Sequence, residues 1–333
     1  MKLFRLFTIL LVLSWGFNCY SSATESALFD DETGSELQWN LYETEKYSFS
    51  YPSYYNLSDN PYRVNINLKT NKDGIHDSFY ENISFTAQPS LSKEDYLQKS
   101  IVEVKNLWNA NLQHEDIEVN GLKGYKFRYS FPIQNKFNVT VLQYAIFNRK
   151  IVYLFTLISE ESTFERYADD ALTIFNSFKL KNIQEDQWKE IATEYCKFSY
   201  PLSFDFVIAP NFKNSLFTLI NNSSTEEESQ HIENLALSST KFEGKANKKS
   251  KKAAYEQTME VLKSVGEVTF NEIKHNGMEI GEFSIIRDNN KQYGHIYIKD
   301  KLMYILIFTT DKSKFEEKQE LIKKLFNSFV LLD

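Results

Sequence analysis

The stretch from Glu36 to Pro52 reads ELQWNLYETEKYSFSYP, and the stretch from Glu185 to Pro201 reads EDQWKEIATEYCKFSYP. The two segments align without a gap and are identical at 9 of 17 positions. A second pair closes both halves of the chain, because Lys150 to Phe178 aligns with Lys301 to Phe329 and both end on Phe-Asn-Ser-Phe. A period of about 150 residues is far longer than the repeats of solenoid proteins, so the pattern indicates duplication of a whole domain.

The repeat divides the 333-residue chain into three expected parts. A chain of this length can form two domains, each with its own hydrophobic core. We expect an N-terminal leader over residues 1–23, a first domain over 24–184 and a second over 185–333. Hydrophobic residues at 42% and charged residues at 25% are typical of folded globular domains.

Within each copy, the hydrophobic pattern switches between the period of two that is typical of strands and the period of 3.6 that is typical of helices. The pattern predicts hairpins after the Asn-Gly turns at 120–121 and 276–277. Because hairpins join the strands, we expect antiparallel sheets with helices packed on them, which is an α+β fold. The predicted helices span 93–108, 165–178, 253–265 and 315–329.

An aromatic strand that ends on Phe-Ser-Tyr-Pro and a closing helix that ends on Phe-Asn-Ser-Phe resemble the PsbP-like fold, which includes the photosystem II extrinsic subunit P and periplasmic DcrB-like proteins. The segments 49–52 with 174–178, and 198–201 with 325–329, carry this resemblance. It implies two tandem α-β-α sandwiches, each an antiparallel sheet flanked by helices. It also implies a binding or assembly role and no enzymatic activity, and it assigns a function to no residue of this chain.

The N-terminus has the layout of a signal peptide, with Lys2 and Arg5, an apolar run over 6–17 and small residues up to Ala23. The apolar run is shorter than the ~20 residues of a membrane-spanning helix. We therefore expect a secreted or periplasmic protein that keeps no membrane span after cleavage. Acylation of Cys19, which would anchor the protein to lipid, is the alternative.

Catalytic, metal and cofactor sites are not predicted. The net charge of −7 argues against nucleic acid as a partner. The five histidines are scattered along the sequence without the spacing of a zinc site, and His114 to Asp116 reads as a solvated loop. The ten glycines form neither a nucleophile elbow nor a phosphate-binding loop.

Two recurring positions are assigned to structure or left open. Cys196 aligns with Tyr47 on the apolar side of an alternating strand, which indicates a buried thiol. Trp39 and Trp188 occupy matching positions, which favours core packing, with ligand stacking as the alternative.

Two segments are candidate contacts with a partner. An aromatic segment follows the first strand, where Tyr and Arg are typical of recognition surfaces, and a lysine run precedes a helix of the second copy, as an exposed loop or as a docking site for an acidic partner. The residues are Tyr54, Tyr55, Tyr62 and Arg63 in the first segment and Lys248, Lys249, Lys251 and Lys252 in the second.

These observations favour an exported, non-catalytic binding or assembly module that recognises a protein partner. One alternative is a carrier of an apolar small molecule or lipid, held between sheet and helix. A hydrolase with an unrecognised site is a further alternative.

Overall fold

The computed structural model describes residues 38–60, 64–70, 81–90, 92–133, 137–208, 215–223, 232–242 and 247–332. The chain divides into two compact units at Ile183 and Gln184. They are named domain 1 and domain 2 here and are described separately. Within the described ranges, no helix is long and apolar enough to cross a membrane.

Domain 1 builds two antiparallel sheets and two helices from its described residues. The seven-stranded sheet has the order β3-β4-β5-β9-β8-β7-β6, and the small sheet has the order β1-β2-β10. The elements are β1 (Trp39–Glu43), β2 (Tyr47–Pro52), β3 (Asn56–Asn60), β4 (Asn65–Lys69), β5 (Asn82–Pro89), α1 (Lys93–Trp108), β6 (Gln113–Val119), β7 (Leu122–Ile133), β8 (Phe137–Asn148), β9 (Ile151–Glu160), α2 (Phe164–Ser177) and β10 (Lys179–Leu180).

Domain 2 repeats this arrangement, with sheets of order β13-β14-β15-β19-β18-β17-β16 and β11-β12-β20. The predicted α+β class, with two similar domains in tandem, is confirmed. The elements are β11 (Trp188–Ala192), β12 (Cys196–Pro201), β13 (Phe204–Phe206), β14 (Ser215–Asn221), β15 (Asn234–Lys241), α3 (Lys248–Lys263), β16 (Glu267–His275), β17 (Met278–Arg287), β18 (Asn290–Lys299), β19 (Leu302–Asp311), a 3-10 turn (Lys312–Lys314), α4 (Gln319–Ser328) and β20 (Val330–Leu331).

Each large sheet is covered on both faces, as domain 1 illustrates. On one face, Val104 of α1 joins a buried cluster with Phe131 of β7. On the other face, Phe175 of α2 stacks on Tyr144 of β8 with ring centroids 4.3 Å apart. Beside α2, Phe49 of the small sheet also packs on this face. The layers are therefore helix, sheet, and helix with the small sheet.

The repeated Phe-Ser-Tyr-Pro and Phe-Asn-Ser-Phe motifs meet in both domains. The backbone N–H of Ser50 donates to the hydroxyl of Ser177 at 2.8 Å, and that of Ser199 donates to Ser328 at 2.9 Å. These bonds tie the opening strand to the last turn of the closing helix. The two end motifs therefore specify one contact within each domain, which is why both recur.

The Asn-Gly turns are a second repeated contact. Asparagine and glycine have positive φ in both turns, at 48° and 81° in domain 1 and at 47° and 80° in domain 2, as tight hairpin turns require. The asparagine amide also donates to the carbonyl of the phenylalanine that ends the closing motif. The distances are 2.6 Å from Asn120 to Phe178 and 2.9 Å from Asn276 to Phe329.

Helix bounds in domain 2 differ from the prediction. Helix α3 begins at Lys248 and not at Ala253, because the side chain of Asn247 caps it by accepting from the N–H of Ser250 at 3.0 Å. The predicted start followed the apolar spacing, which begins only after the lysines. The closing helix α4 is shorter than predicted, and a separate 3-10 turn precedes it.

Candidate partner-binding surface

Strand β1 lies at the edge of the small sheet of domain 1 and pairs with β2. Tyr42 faces inward, where its ring stacks on Phe49 at 5.1 Å. Since side chains alternate along a strand, Trp39 and Leu41 face the opposite side. Trp39 is 39% exposed and Leu41 is 63% exposed. The outer face of this edge strand therefore exposes two apolar side chains beside the charged Glu43, which pairs with Lys181 at 2.6 Å.

The matching tryptophan of domain 2 is covered by a lysine. The ammonium group of Lys324, on α4, lies 3.8 Å from the centroid of the Trp188 ring. Such a cation over an aromatic face is favourable. In domain 1, Thr173 stands at the position of Lys324, and its hydroxyl donates to a carbonyl of its own helix at 2.9 Å. The same ring is thus half-buried in one domain and exposed in the other.

The position of Leu41 also differs between the two domains. In domain 2 this position holds Glu190, whose carboxylate pairs with Lys197 at 2.9 Å. The fold therefore accepts a charged residue on this face. The exposed leucine is a property of domain 1 and is not required by the architecture.

The prediction that the two tryptophans belong to the core is wrong, because Trp39 is exposed and Trp188 is half-buried beneath a lysine. The repeat showed only that the two tryptophans share a position. The cover over the ring comes from Lys324, and domain 1 has Thr173 at that place. The sequence did contain one sign of an exposed surface, because Leu41 of the first copy aligns with Glu190 of the second. An apolar residue thus replaces a charged one on the outer face.

Two more exposed apolar side chains lie close to β1 along the chain, Tyr54 at 40% and Leu57 at 36%. The turn that holds Tyr54 is tied to the start of β1 by a backbone hydrogen bond from Ser53 to Gln38 at 2.9 Å. Strand β3, which carries Leu57, is tied to β1 by the Tyr42 hydroxyl, which donates to Asp59 at 2.6 Å. We name Trp39, Leu41 and Tyr54 the β1 surface.

The aromatic segment predicted as a contact region is only partly at the surface. Tyr55 is 4% exposed, and its hydroxyl donates to Asp170 of α2 at 3.1 Å. Tyr54 stacks on Tyr55 at 4.8 Å and also donates to Asp170. Within this pair, Tyr54 is the side chain available to a partner. Tyr62 and Arg63 lie outside the described residues, as do Cys19 and the expected leader.

The edge of the large sheet in domain 1 has a different character. Strand β6 carries His114, Glu115, Asp116 and Glu118, and most of its residues are exposed. Charged side chains on an edge strand discourage pairing with other chains. The stretch from His114 to Asp116 is therefore a strand and not the predicted loop, although it is solvated as expected. The outer face of strand β1 carries one charged residue, Glu43, beside the exposed Trp39 and Leu41.

The four lysines of the run lie in the first turns of α3, so their assignment to a loop is wrong. Cations are unfavourable at this end of a helix, where the macrodipole is positive. The corresponding turn of α1 carries Glu94 and Asp95. Three of the lysines are exposed and one is half-buried, and none of them forms an ion pair with a described residue: Lys248, Lys249, Lys251 and Lys252.

The remaining thiol and imidazole groups are mostly structural. Cys196 is 0% exposed, which confirms its predicted burial, and burial raises the pKa of its thiol to about 11. His275 and His295, which are 20 positions apart in the sequence, lie with ring centroids 5.1 Å apart. Across the described ranges, no group of three or more His, Cys, Asp or Glu side chains is arranged to hold a metal ion.

No protein-family model and no curated protein match the chain. Solved structures that are similar to part of it include LpqN of Mycobacterium tuberculosis, described as involved in cell envelope biogenesis. It is 12% identical, with 44% of this chain and 93% of that chain covered and a TM-score of 0.36. PsbP of the cyanobacterium Synechocystis sp. PCC 6803 is 17% identical, with 47% and 98% covered and a TM-score of 0.32.

A further similar structure is PA94 of Pseudomonas aeruginosa, a protein of unknown function. It is 14% identical, with 44% of this chain and 99% of that chain covered and a TM-score of 0.32. Each of these matches spans less than half of this chain, which is about the extent of one domain. One of these structures is a PsbP protein.

Proposed function

We propose that the protein is a non-catalytic binding module in which domain 1 docks a protein partner along the β1 surface. The observation that carries this proposal is the 63% exposure of Leu41 beside an exposed Trp39 on an edge strand. The same outer face in domain 2 holds a covered ring and a charged residue. Exposed apolar groups on an edge strand favour association with another chain.

The geometry of β1 fits an extended segment of the partner. A strand added to a sheet edge gains main-chain hydrogen bonds, and side chains at alternate positions supply specificity. Trp39 and Leu41 are two residues apart, so both face such a segment from the same side. Tryptophan and tyrosine are enriched among the residues that dominate binding energy, which supports roles for Trp39 and Tyr54 as anchors.

For the lysines of α3 we propose a second contact, with acidic groups of a partner. The conflict between these lysines and the helix dipole supports this second contact. Four cations at the positive end of a helix lower its stability, and α1 carries acidic residues at that end instead. Binding through these lysines should weaken as salt increases, because exposed charges are screened. A variant with Lys251→Glu and Lys252→Glu should lose the salt-dependent part of the affinity while keeping the part that β1 supplies.

We propose that the mature chain acts outside the cytoplasm, on the strength of the signal-peptide layout of residues 1–23. The N-terminus of the protein isolated from its native source tests this. A mature chain that begins at Thr24 supports export with cleavage, and a lipid on Cys19 supports the anchored alternative. A protein that retains Met1 would contradict both.

The decisive experiment compares partner capture by Leu41→Glu with that by the unmodified protein after crosslinking in native extract. Leu41→Glu installs the residue type that domain 2 uses at this position, so it should leave the fold intact. The matched control is Val102→Glu, since Val102 is 56% exposed on α1, on the other side of the sheet. We expect capture to be lost in Leu41→Glu and kept in Val102→Glu. Equal capture by both variants would refute the proposed surface.

The carrier alternative receives less support from the interior of domain 1. The space between the sheet and α2 is occupied by rings in contact, with centroids 4.3 Å apart for Tyr144 and Phe175. Phe155 lies 4.7 Å from Phe85 and 5.3 Å from Phe178. An apolar ligand at this place would have to displace aromatic side chains. Native mass spectrometry that shows a retained lipid would favour the carrier despite this packing.

A further inference from the structure

A cluster of hydrogen-bonded polar side chains lies beneath α4 in domain 2. His295, on β18, is 2% exposed. Its Nε2 atom lies 3.0 Å from the hydroxyl of Tyr293 and 3.7 Å from a carboxylate oxygen of Glu282. Its Nδ1 atom lies 3.0 Å from the hydroxyl of Tyr297. The hydroxyl of Tyr293 in turn lies 2.5 Å from Glu282.

These contacts allow one direction of hydrogen bonding when Glu282 is ionised and His295 is neutral. A carboxylate only accepts, so the hydroxyl of Tyr293 donates to Glu282. The oxygen of Tyr293 then accepts from Nε2–H of His295, and Nδ1 accepts from the hydroxyl of Tyr297. A neutral imidazole has one donor and one acceptor, so both of its nitrogens are satisfied. A protonated imidazole has two donors, so Tyr297 could no longer donate to Nδ1 and its oxygen would accept from Nδ1–H instead.

Domain 1 shows that the fold does not need this cluster. At the positions that match 293, 295 and 297, domain 1 has Leu142, Tyr144 and Ile146. All three are buried, and only the side chain of Tyr144 can form a hydrogen bond. Lys126, which pairs with Tyr144 across the strands, stands at the position of Glu282. The ring of Tyr144 stacks on that of Phe175. At the matching place in domain 2, the ring of His295 contacts that of Phe326 edge-on, with centroids 4.6 Å apart. At this position of the repeat, a buried histidine is therefore particular to domain 2.

The surroundings of His295 supply one negative charge, and that charge is already engaged by Tyr293. The groups that face it are Glu282 from β17, His275 from β16 and the two tyrosines of its own strand. Helix α4 presents the ring of Phe326, and β19 presents Leu306 as its cross-strand partner. Cys196 of β12 interacts electrostatically with Tyr297. An imidazolium here would lie 3.7 Å from the Glu282 carboxylate, but burial and the neighbouring His275 disfavour the charged form.

We propose that this cluster is an acid-sensitive latch: it holds α4 against the sheet while His295 is neutral, and uptake of a proton by His295 favours opening of the helix. Phe326 and Phe329 are the points of attachment, since they contact His295 and Tyr297, respectively. Release would open the layer that covers this face of domain 2. The corresponding layer of domain 1 would stay closed.

The pH range follows from the protonation of His295. Burial, and then the neighbouring His275, lower the pKa of His295 to about 3. When the helix separates, the imidazole returns to its ordinary pKa of about 6.5. The open form then binds the proton more readily, so the closed form is unaffected above pH ~6.5 and loses stability as the pH falls toward 3. The opening constant changes by up to about tenfold per pH unit, or about thirtyfold at pH 5.

Hydrogen exchange of the full-length protein tests the latch. Protection of α4 is measured at pH 7.5 and pH 5.0, with correction for the intrinsic pH dependence of exchange. Helix α2 of domain 1 is the internal control, because Tyr144 stands at the position of His295. We expect the opening constant of α4 to rise about thirtyfold at pH 5.0, with α2 unchanged. Unchanged protection of α4, or an equal loss in both helices, would overturn the proposal.

Two variants test whether His295 causes the pH response of α4. His295→Tyr, which copies domain 1, should make α4 insensitive to pH, whereas His275→Gln should keep the response. Loss of the response in His275→Gln would overturn the assignment to His295. Nitrogen NMR of the imidazole in the unmodified protein serves as a further test that needs no variant. It should show a neutral ring protonated at Nε2 at pH 7.5, and a protonated ring in the closed form at that pH would contradict the latch.

Discussion

Cys196 and Tyr47 stand at one position of the repeat and are both buried, at 0% and 6% exposure. Alternation along the opening strand was enough to predict this, because the neighbouring Phe198 and Phe49 fix which side faces the core. The thiol has a raised pKa, caused first by burial, while the hydroxyl of Thr193 acts in the opposite direction. Since the thiolate is the reactive form, Cys196 should be inert in the folded protein.

We expect a Cys19→Ser variant to react negligibly with a thiol-specific reagent at pH 8 and to react with one equivalent in denaturant. The first condition reports burial and the raised pKa of Cys196, and the second confirms that the thiol is present. Rapid stoichiometric labelling under native conditions would show that the thiol is accessible. In that case Cys196 would return as a candidate nucleophile.

The residues that sequence reasoning missed are those whose environment comes from other elements. Trp39 and Trp188 are identical in the repeat, and their exposure differs because Lys324 covers only the second. His275 and His295 are 20 positions apart in the chain and become neighbours through the pairing of β16, β17 and β18. A single sequence does not encode such contacts as a local pattern.

At the scale of elements, the helices α1 and α3 show which signals sequence carries well. Helix α1 has the predicted bounds, since Ser92 caps it and Glu94 and Asp95 occupy its first turn. Helix α3 violates the charge rule at the same end and begins five residues before its predicted start, which followed the apolar spacing. Strand β1 was missed because its five residues, WNLYE, show no clear alternation of polar and apolar types.

The charge rule can be tested by exchanging charges between the two helices. Lys248→Glu with Lys249→Glu should stabilise domain 2 by ~0.3–1 kcal/mol per residue at low salt, since the new carboxylates face the positive end of the dipole. Glu94→Lys with Asp95→Lys should destabilise domain 1 by a similar amount. Urea unfolding at low and high salt measures both effects. A loss of stability on introducing the glutamates would mean that the lysines make stabilising contacts within the chain.

At the scale of the whole molecule, the two domains share one architecture and differ in specific side chains. Apolar residues open to solvent mark the β1 surface of domain 1, whereas a buried histidine cluster and a basic helix start mark domain 2. The repeat and the order of elements were predictable, because they rest on long patterns and on turn residues. The differences between the two domains were not predictable, because they depend on which side chains of other elements contact each shared position.

We expect each half of the chain to fold by itself, because each has its own large sheet and its own buried core. Residues 24–184 and residues 185–333, produced separately, should each unfold cooperatively in calorimetry. Circular dichroism should report mixed helix and strand in both. A half that stays unfolded alone would show that the repeat is not a pair of independent folding units.

The central claim is that the β1 surface of domain 1 contacts a protein partner, and a photo-crosslinking amino acid at position 41 tests it most directly. The same amino acid at position 190, on the matching strand of domain 2, is the control. We predict that position 41 joins the chain to one defined protein in native extract and that position 190 does not. Equal crosslinking from both positions, or none from position 41, would contradict the account.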